Sequence, residues 1–462
     1  MLNIEQFVRI GKDGIGNERS KNAQSMTYFN GFLYLGVTHH NGEGPMDCAR
    51  ILRYRPKNEV WEEVYKSPLV EMDAKAKASH IYAVGRHSQN AEKTVYDKAP
   101  LYRGYRGMTA FKGKSDNTPA LYVGTISHWG AQILRSEDGI NFEPVSEPGL
   151  GNPEILSFRN LVEFDGKLFA THAGSVSGDV LDRNFSETTT VYVSDDPASG
   201  EWQEAMIPCF GDKNNSAIFG MSVFNNYLYA GTGNPERGFQ IWKTAASGLP
   251  PFEWELVLKD GAYRYNLNEI AISMAVFKGK LYIGTGIPGL GYDKTHDVGP
   301  AAAELIRLNA NNSWDLIVGS PRFTPDGLKV PFAAMGPGFD DFNNSVFWSM
   351  GVHKDSLYIG TNNVTPWKLA MQGAQHMEGG SQFWATDDGE NWEPVTMDGF
   401  GNHFAIGIRT MVSSPEGFFV GTSNHQEVEK LWHKRARKNG KPGIGGLEIW
   451  LGNNLEKSDA NK

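Results

Sequence analysis

Apolar and polar residues alternate along this chain in short bursts that stop at a glycine or asparagine and then resume. In IAISMAVFKGKLYIGTG, Ile270 to Gly286, the side chains of Ile272, Met274 and Val276 precede a Lys-Gly turn, and Leu281 and Ile283 follow it. A period of two on both sides of a tight turn predicts an antiparallel hairpin. The pattern returns in QSMTYFNGFLYLGVT from Gln24, RGMTAFKGKSDNTPALYVGT from Arg106 and RNLVEFDGKLFAT from Arg159. It returns again in FGMSVFNNYLYAGT from Phe219, WSMGVHKDSLYIGT from Trp348 and RTMVSSPEGFFVGT from Arg409, which makes seven copies. In the third, Leu161 stands for the methionine and Ala170 for the glycine. A lone hairpin cannot bury both of its faces, so the copies must stack.

A second pair of strands follows most hairpins, as in QILRSEDGINFEPV, QIWKTAASGLPPFEWELV and QFWATDDGENWEPV. Four strands per repeat and seven repeats predict an all-β fold, a seven-bladed β-propeller of four-stranded antiparallel blades. The last repeat ends at GLEIWLGNN with no fourth strand, while Ile4 to Asn17 matches the fourth strand and exit loop of the sixth repeat. The expected arrangement is one propeller domain over residues 1–455. Its outer strand of blade seven is supplied by about residues 4–10, closing the ring and removing an open sheet edge. Residues 456–462 read as a polar tail.

The turns SEDGINF from Ser136 and TDDGENW from Thr386 resemble degenerate Asp boxes, the turn motif of sialidases and related propellers. The resemblance implies a propeller fold and a structural role for the Ser/Thr and Asp of each turn. It supplies no sialidase catalytic set.

Composition narrows the function. Gly 53, aromatic content of 12% and a formal net charge of -9 describe a glycine-rich globular chain without the overall basic charge that broad nucleic-acid binding needs. No apolar run reaches the roughly 18 residues of a membrane-spanning helix, and Met1 to Ile10 lacks the pattern of a signal peptide, so a cytoplasmic protein is expected. Cys48 and Cys209 are too few for a disulfide framework and read as buried thiols.

The extra chain falls in 67–103, 287–303, 320–345, 364–380 and 424–445, all loops of one face in propeller topology, and loops carry function. Side chains expected in the central funnel of that face lie two residues before each repeat methionine: Gln24, Arg106, Arg159, Phe219, Ile272, Trp348 and Arg409. A second set follows the Leu-Tyr-x-Gly strand and holds His39, His40, His128, His172 and His425. The basic stretch Glu427 to Gly443 reads as a mobile flap. The repeated Gly-x-Gly-Asn at Gly14 to Asn17, Gly149 to Asn152 and Gly399 to Asn402 reads as a recurring turn.

These residues predict an enzyme acting on an anionic or sugar-like small molecule. Arg106, Arg159 and Arg409 would bind the anion as guanidinium forks do. His128 or His172 would serve as acid or base, while Trp348 and Phe219 pack the apolar part and His39 and His425 line the site. The chemistry is lyase or hydrolase, by analogy with propeller-fold polysaccharide lyases. A divalent metal held by histidines is a further expectation, and no nucleic-acid or membrane partner is expected. The alternatives are a non-catalytic carbohydrate- or protein-binding propeller and, more remotely, a propeller resembling those of cyanobacterial aromatic-alkylating enzymes, whose calcium-binding half this chain lacks.

Overall fold

Each repeat hairpin forms, and each becomes the inner pair of a four-stranded antiparallel module. The computed structural model describes residues 1–38, 48–72, 97–152, 154–174, 184–436 and 445–453, and the tail expected at 456–462 lies outside them. The chain divides into two compact units, Arg19–Ala205 and a second made of Met1–Glu18 with Met206–Lys462.

The Arg19–Ala205 unit contains three modules among the described residues. They are Asn22–Phe29, Phe32–Thr38, Arg50–Arg55 and Val60–Lys66; Gly104–Phe111, Ala120–Ile126, Ile133–Ser136 and Glu143–Pro144; and Ser157–Phe164, Lys167–Ala173, Val191–Ser194 and Gln203–Glu204. The second unit contains four among the described residues. The fourth and fifth modules are Ala217–Phe224, Tyr227–Gly233, Ile241–Thr244 and Glu255–Leu258, then Ile270–Phe277, Lys280–Gly286, Leu305–Leu308 and Trp314–Val318. The sixth is Asn344–His353, Ser356–Asn363, Phe383–Thr386 and Glu393–Thr396. The seventh is Ala405–Ser414, Gly417–Asn424 and Ile449–Gly452, and its outer strand is Phe7–Gly11, paired antiparallel with Ile449–Gly452.

Local sequence explains the inner hairpins. Asn30 and Gly31, Asp165 and Gly166, Asn225 and Asn226, and Lys278 and Gly279 all take positive φ. Two such residues in succession give the turn whose twist suits antiparallel strands. The Gly-x-Gly-Asn motifs are also turns of left-handed backbone, with Gly149 at φ 59° and Leu150 at φ 54°, and Gly399 at φ 69° and Phe400 at φ 60°. Their asparagines serve the turn: Asn152 Oδ1 accepts the Glu154 N–H and Asn402 Oδ1 the Phe404 N–H, both at 3.1 Å.

The second strand of every module is buried on both faces, and in most modules a threonine or a tyrosine in it makes a specific contact. The threonine of the Gly-Thr pair accepts the backbone N–H of the residue before the third strand. Thr125 takes Gln132 at 2.8 Å, and Thr232, Thr285, Thr361 and Thr422 take Gln240, Glu304, Gln382 and Glu448 at 2.9 Å. Each bond contributes about 1 kcal/mol net and fixes the register of the third strand. In the first and fifth modules the tyrosine of Leu-Tyr reaches the next module. A β-carbon on Gly139 would lie 1.8 Å from the Tyr34 hydroxyl, and one on Gly389 would lie 1.9 Å from that of Tyr282.

Those glycines belong to the two turns singled out in the sequence. Asp138 Oδ1 accepts N–H groups from Ile140 and Asn141, both at 2.8 Å, and Asp388 Oδ1 does the same for Glu390 and Asn391. The Asn141 and Ile140 bonds pull the Asp138 carboxyl down to about 2. Burial alone would raise Asp388, yet its bonds to Asn391, Glu390 and Thr386 hold it below the usual carboxylate range.

Two expectations are corrected. In the third module Leu161 pairs with Ala170 and Asn160 with Thr171, whereas the fifth pairs Met274 with Ile283 and Ser273 with Gly284. The glycine position is therefore Thr171, not Ala170, and the residue in the threonine place is His172. The flap is not a mobile loop over its described part. Gln426–Arg435 is a helix that presents Val428, Leu431 and Trp432 to the helix Thr365–Gln372, around Ala370, Ile406 and Trp367. Trp432 Nε1 donates to the Ala374 carbonyl at 2.7 Å. The i, i+3, i+4 spacing of those apolar residues outweighs the charge of their neighbours. Residues 437–443 of the expected flap lie outside the described ones. Cys48 and Cys209 are buried thiols, not disulfides.

Candidate functional site

The seven positions two residues before the repeat methionine share one backbone feature. The inner strand skips register there in every module, at Gln24, Arg106, Arg159, Phe219, Ile272, Trp348 and Arg409. At a bulge the ladder is locally interrupted, and the side chain is re-aimed out of the regular alternation. The following residue braces the bulge against the next module. Ser25 Oγ donates to the Tyr105 carbonyl at 2.8 Å, Ser273 Oγ to that of Phe347 at 2.6 Å and Ser349 Oγ to that of Ile408 at 2.8 Å. Where that residue is Gly107 or Gly220, a β-carbon would stand 3.3 Å from the carbonyl of Arg159 or Ile272. Bulges of the first and second, fifth and sixth, and sixth and seventh modules are thus tied side by side.

In the Arg19–Ala205 unit two bulge arginines meet. Arg159 Nη2 donates to Asn184 Oδ1 at 2.8 Å and Arg106 Nη2 donates to the same oxygen at 3.3 Å. Arg106 Nη1 also reaches Ser157 Oγ at 3.4 Å. Burial lowers the Arg106 guanidinium to about 10, so a negative charge beside it would be favourable. His128 is held by another arginine. Arg103 Nη1 contacts His128 Nε2, and because a guanidinium only donates, Nε2 is the acceptor in that bond.

His172 has a different occupation. It is 1% exposed, and its Nε2 accepts the Thr190 N–H at 3.1 Å, the bond made by threonine in five other modules. Thr190 precedes the third strand, so His172 is that module's substitute for threonine. Burial lowers the imidazole to about 4, which keeps it neutral at pH 7. The histidines are also not register-equivalent: counted from the threonine position, His128 and His425 are three residues on, and His172 is the position itself. His39 lies outside the described residues.

In the other unit, Arg409 and Trp348 meet. The Arg409 guanidinium carbon lies 4.4 Å from the Trp348 ring centroid, and a β-carbon on Gly407 would collide with that ring at 2.3 Å. Cation and aromatic face thus form one half-buried platform. Phe219 is 3% exposed and belongs to the core more than to a surface. His425 caps the helix Gln426–Arg435, its carbonyl accepting the Val428 N–H at 2.9 Å, with its ring 6.3 Å from that of Trp367.

Sequence reasoning missed three groups here. Asn184 lies outside every repeat and carried no signal. Glu269 and Glu304 did carry one. Asn-Ser at 215–216, Asn-Glu at 268–269 and Asn-Ser at 344–345 stand at equal distance before the repeat methionines, so Glu269 is the odd member. It is fully buried, and burial, with the nearby charge of Asp293, pushes its carboxyl up to about 9. Glu304 replaces the Gln240 and Gln382 of neighbouring modules and pairs with Arg264 and Arg322. Among the described residues no group of three His, Cys, Asp or Glu side chains is placed to hold a metal ion.

No protein-family profile matches the chain, and no curated protein matches it. Solved structures do. PorZ, a surface component of the type-IX secretion system of Porphyromonas gingivalis, is 11% identical with a TM-score of 0.49, over 95% of this chain and 48% of that one. The xyloglucanase of Xanthomonas campestris is 15% identical with a TM-score of 0.46, over 90% and 53%. A polysaccharide lyase acting on ulvan is 9% identical with a TM-score of 0.43, over 96% and 94%. The chain spans about half the length of the first two. Likeness at this level assigns no activity. No helix among the described residues is long and apolar enough to cross a membrane.

Proposed function

We propose that the chain is a seven-bladed β-propeller, closed by its N-terminal strand, that recognises an anionic small molecule through Arg106 and Arg159, an acidic sugar being the first class to test. The observation that carries this reading is the convergence of two guanidiniums from adjacent bulges on one oxygen, Asn184 Oδ1. A carboxylate or sulfate oxygen placed beside that amide would meet both cations, and charge-assisted bonds of this kind are about twice as strong as neutral ones. Neutral hydroxyls of a sugar would use the amide itself. The Trp348 and Arg409 pair offers the same chemical combination, an aromatic face with a cation.

The catalytic form of this reading, lyase or hydrolase, falls to His128 and not to His172. His128 Nε2 becomes a base once Arg103 turns from it to a bound anion, whereas His172 Nε2 is committed to the backbone. Recognition without chemistry is the second reading. It is favoured by the engagement of the accepting nitrogen in both histidines.

Calorimetric titration with glucuronate, a sulfated disaccharide and glucose tests the proposal. Binding of the acidic sugars only, abolished in Arg106→Gln and Arg159→Gln, is expected. Equal binding of glucose, or unchanged binding by both variants, would overturn it. Product formation from an acidic polysaccharide that is lost in His128→Gln would select the enzyme over the binding protein.

A further inference from the structure

The segment between the fifth and sixth modules contains a hairpin, Arg322–Thr324 paired with Gly327–Lys329, that is amphipathic in the reverse of the usual sense. Its basic side chains face the protein. Arg322 Nε donates to the Ala262 carbonyl at 2.8 Å and Nη1 to Glu304 Oε1 at 3.0 Å. Lys329 Nζ donates to the Trp314 carbonyl at 2.7 Å and lies over the Trp314 ring. The apolar side chains face outward. Phe323 stands directly across from Leu328, and the two are 83% and 55% exposed. Val330 and Phe332 follow Leu328 at a period of two, on the same side, and are 52% and 54% exposed.

The stripe is both large and preformed. At those fractions the four residues present roughly 400 to 500 Å² of mainly apolar surface. The largest patch of an ordinary monomer is about 300 to 600 Å² and is often functional, and each side of a stable interface supplies about 800 Å². The anchors of Arg322 and Lys329 hold the hairpin in place before any partner arrives, and the Arg307 guanidinium carbon lies 5.1 Å from the centroid of the Phe332 ring. Little ordering cost is left to binding.

We propose that this stripe is a self-association surface, packing against the same stripe of a second copy of the chain across a two-fold axis. Area is the first reason. Two stripes face to face bury roughly 800 to 1,000 Å² in total, so the hairpin flanks need add little to reach the size of a specific interface. The stripe is also its own complement, as a two-fold contact requires, because the basic residues of the hairpin are committed to the inner side. With the hairpins antiparallel, Phe323 and Leu328 of each copy cover Val330 and Phe332 of the other, and the two Asp326 carboxylates at the tips stay at opposite ends. Pro321 and Pro331 flank the two strands and remove backbone donors there, which favours side-chain packing over strand addition at an edge. A lipid surface fits less well, since Asp326 stands at the tip that would enter first and the formal net charge is -9. The proposal does not depend on the reading of Arg106 and Arg159.

Sedimentation equilibrium of the full-length protein, from low to high micromolar concentration, is the test. A single monomer–dimer equilibrium is expected, weakened at least about tenfold in Phe323→Ser and in Leu328→Ser. Both variants should keep the wild-type Tm and circular dichroism, because the replaced side chains are exposed. Should either lose its fold, Val330→Ser takes its place. A wild type that stays monomeric over the whole range overturns the proposal, as does a dimer whose affinity the folded variants retain. A ladder of larger species also overturns it, since that marks an open contact in place of a closed one. Co-flotation of a monomeric wild type with phosphatidylcholine vesicles, lost in Phe323→Ser, would overturn it in favour of a membrane.

Discussion

His172 Nε2 accepts the N–H of Thr190 at 3.1 Å, in the place where a threonine hydroxyl accepts the corresponding N–H in five other modules. One of the two histidines expected to serve as acid or base is therefore part of the frame. Its lowered value, about 4 against 6.5, fixes the sign of a pH effect. The unfolded chain binds the proton between those values and the folded one does not, so stability is full above about pH 6.5 and falls as pH drops towards 4. On the order of 3 kcal/mol is at stake. His172→Thr restores the repeat residue and should flatten that acid limb. Urea unfolding at a series of pH values measures it, and an unchanged slope would mean that His172 does not titrate as its burial requires.

Tyr282 and Gly389 give a second measurable contact, because a β-carbon on Gly389 would lie 1.9 Å from the tyrosine oxygen and the glycine has a φ of 86°. Gly389→Ala should cost about 2 kcal/mol or more, from overpacking and left-handed backbone together. Tyr282→Phe removes the oxygen, so in the double variant part of that loss should return. Strict additivity in the cycle would show that the two groups do not compete for the space.

The serine braces predict a small, repeated effect. Ser273→Ala and Ser349→Ala each leave a buried carbonyl, of Phe347 or Ile408, without its hydroxyl partner, and each should lose about 1 to 2 kcal/mol. Loss of Ser349 acts directly on the strand that aims Arg409, so any ligand held there should also weaken. Chemical denaturation of both variants, each with a wild-type spectrum, is the check.

Glu304→Gln installs the residue found at Gln240 and Gln382, yet it should destabilise. Arg264 and Arg322 lose their carboxylate, and breaking a buried pair costs about 3 kcal/mol or more. Should the variant prove as stable as the wild type, the triad would be dispensable and the module would tolerate the consensus residue.

Removal of residues 1–11 takes away Phe7–Gly11, the strand paired with Ile449–Gly452, together with the buried side chains of Leu2 and Phe7. A lower Tm and concentration-dependent aggregation through the exposed edge are expected. Light scattering and thermal melts report both, and an unaltered Tm would deny the strand a structural role.

The sequence by itself determined what is local or periodic. Alternation and turn residues determined the seven hairpins, since Asn30-Gly31 or Lys278-Gly279 accepts positive φ at little cost and leaves one register. The phase of the repeat also marked the seven bulge positions, though not that they were bulges. Only the tertiary structure decided what depends on contacts distant in sequence. It moved the glycine position from Ala170 to Thr171 and His172 into the frame, because pairing with Asn160 and Thr190 outweighs a likeness of letters. It brought Asn184, which lies outside every repeat, to Arg106 and Arg159, and set Arg409 over Trp348, two positions that the repeat had marked without pairing them. It also turned the expected flap around Trp432 into a packed helix, because burial of an apolar stripe is available only when a second helix stands opposite.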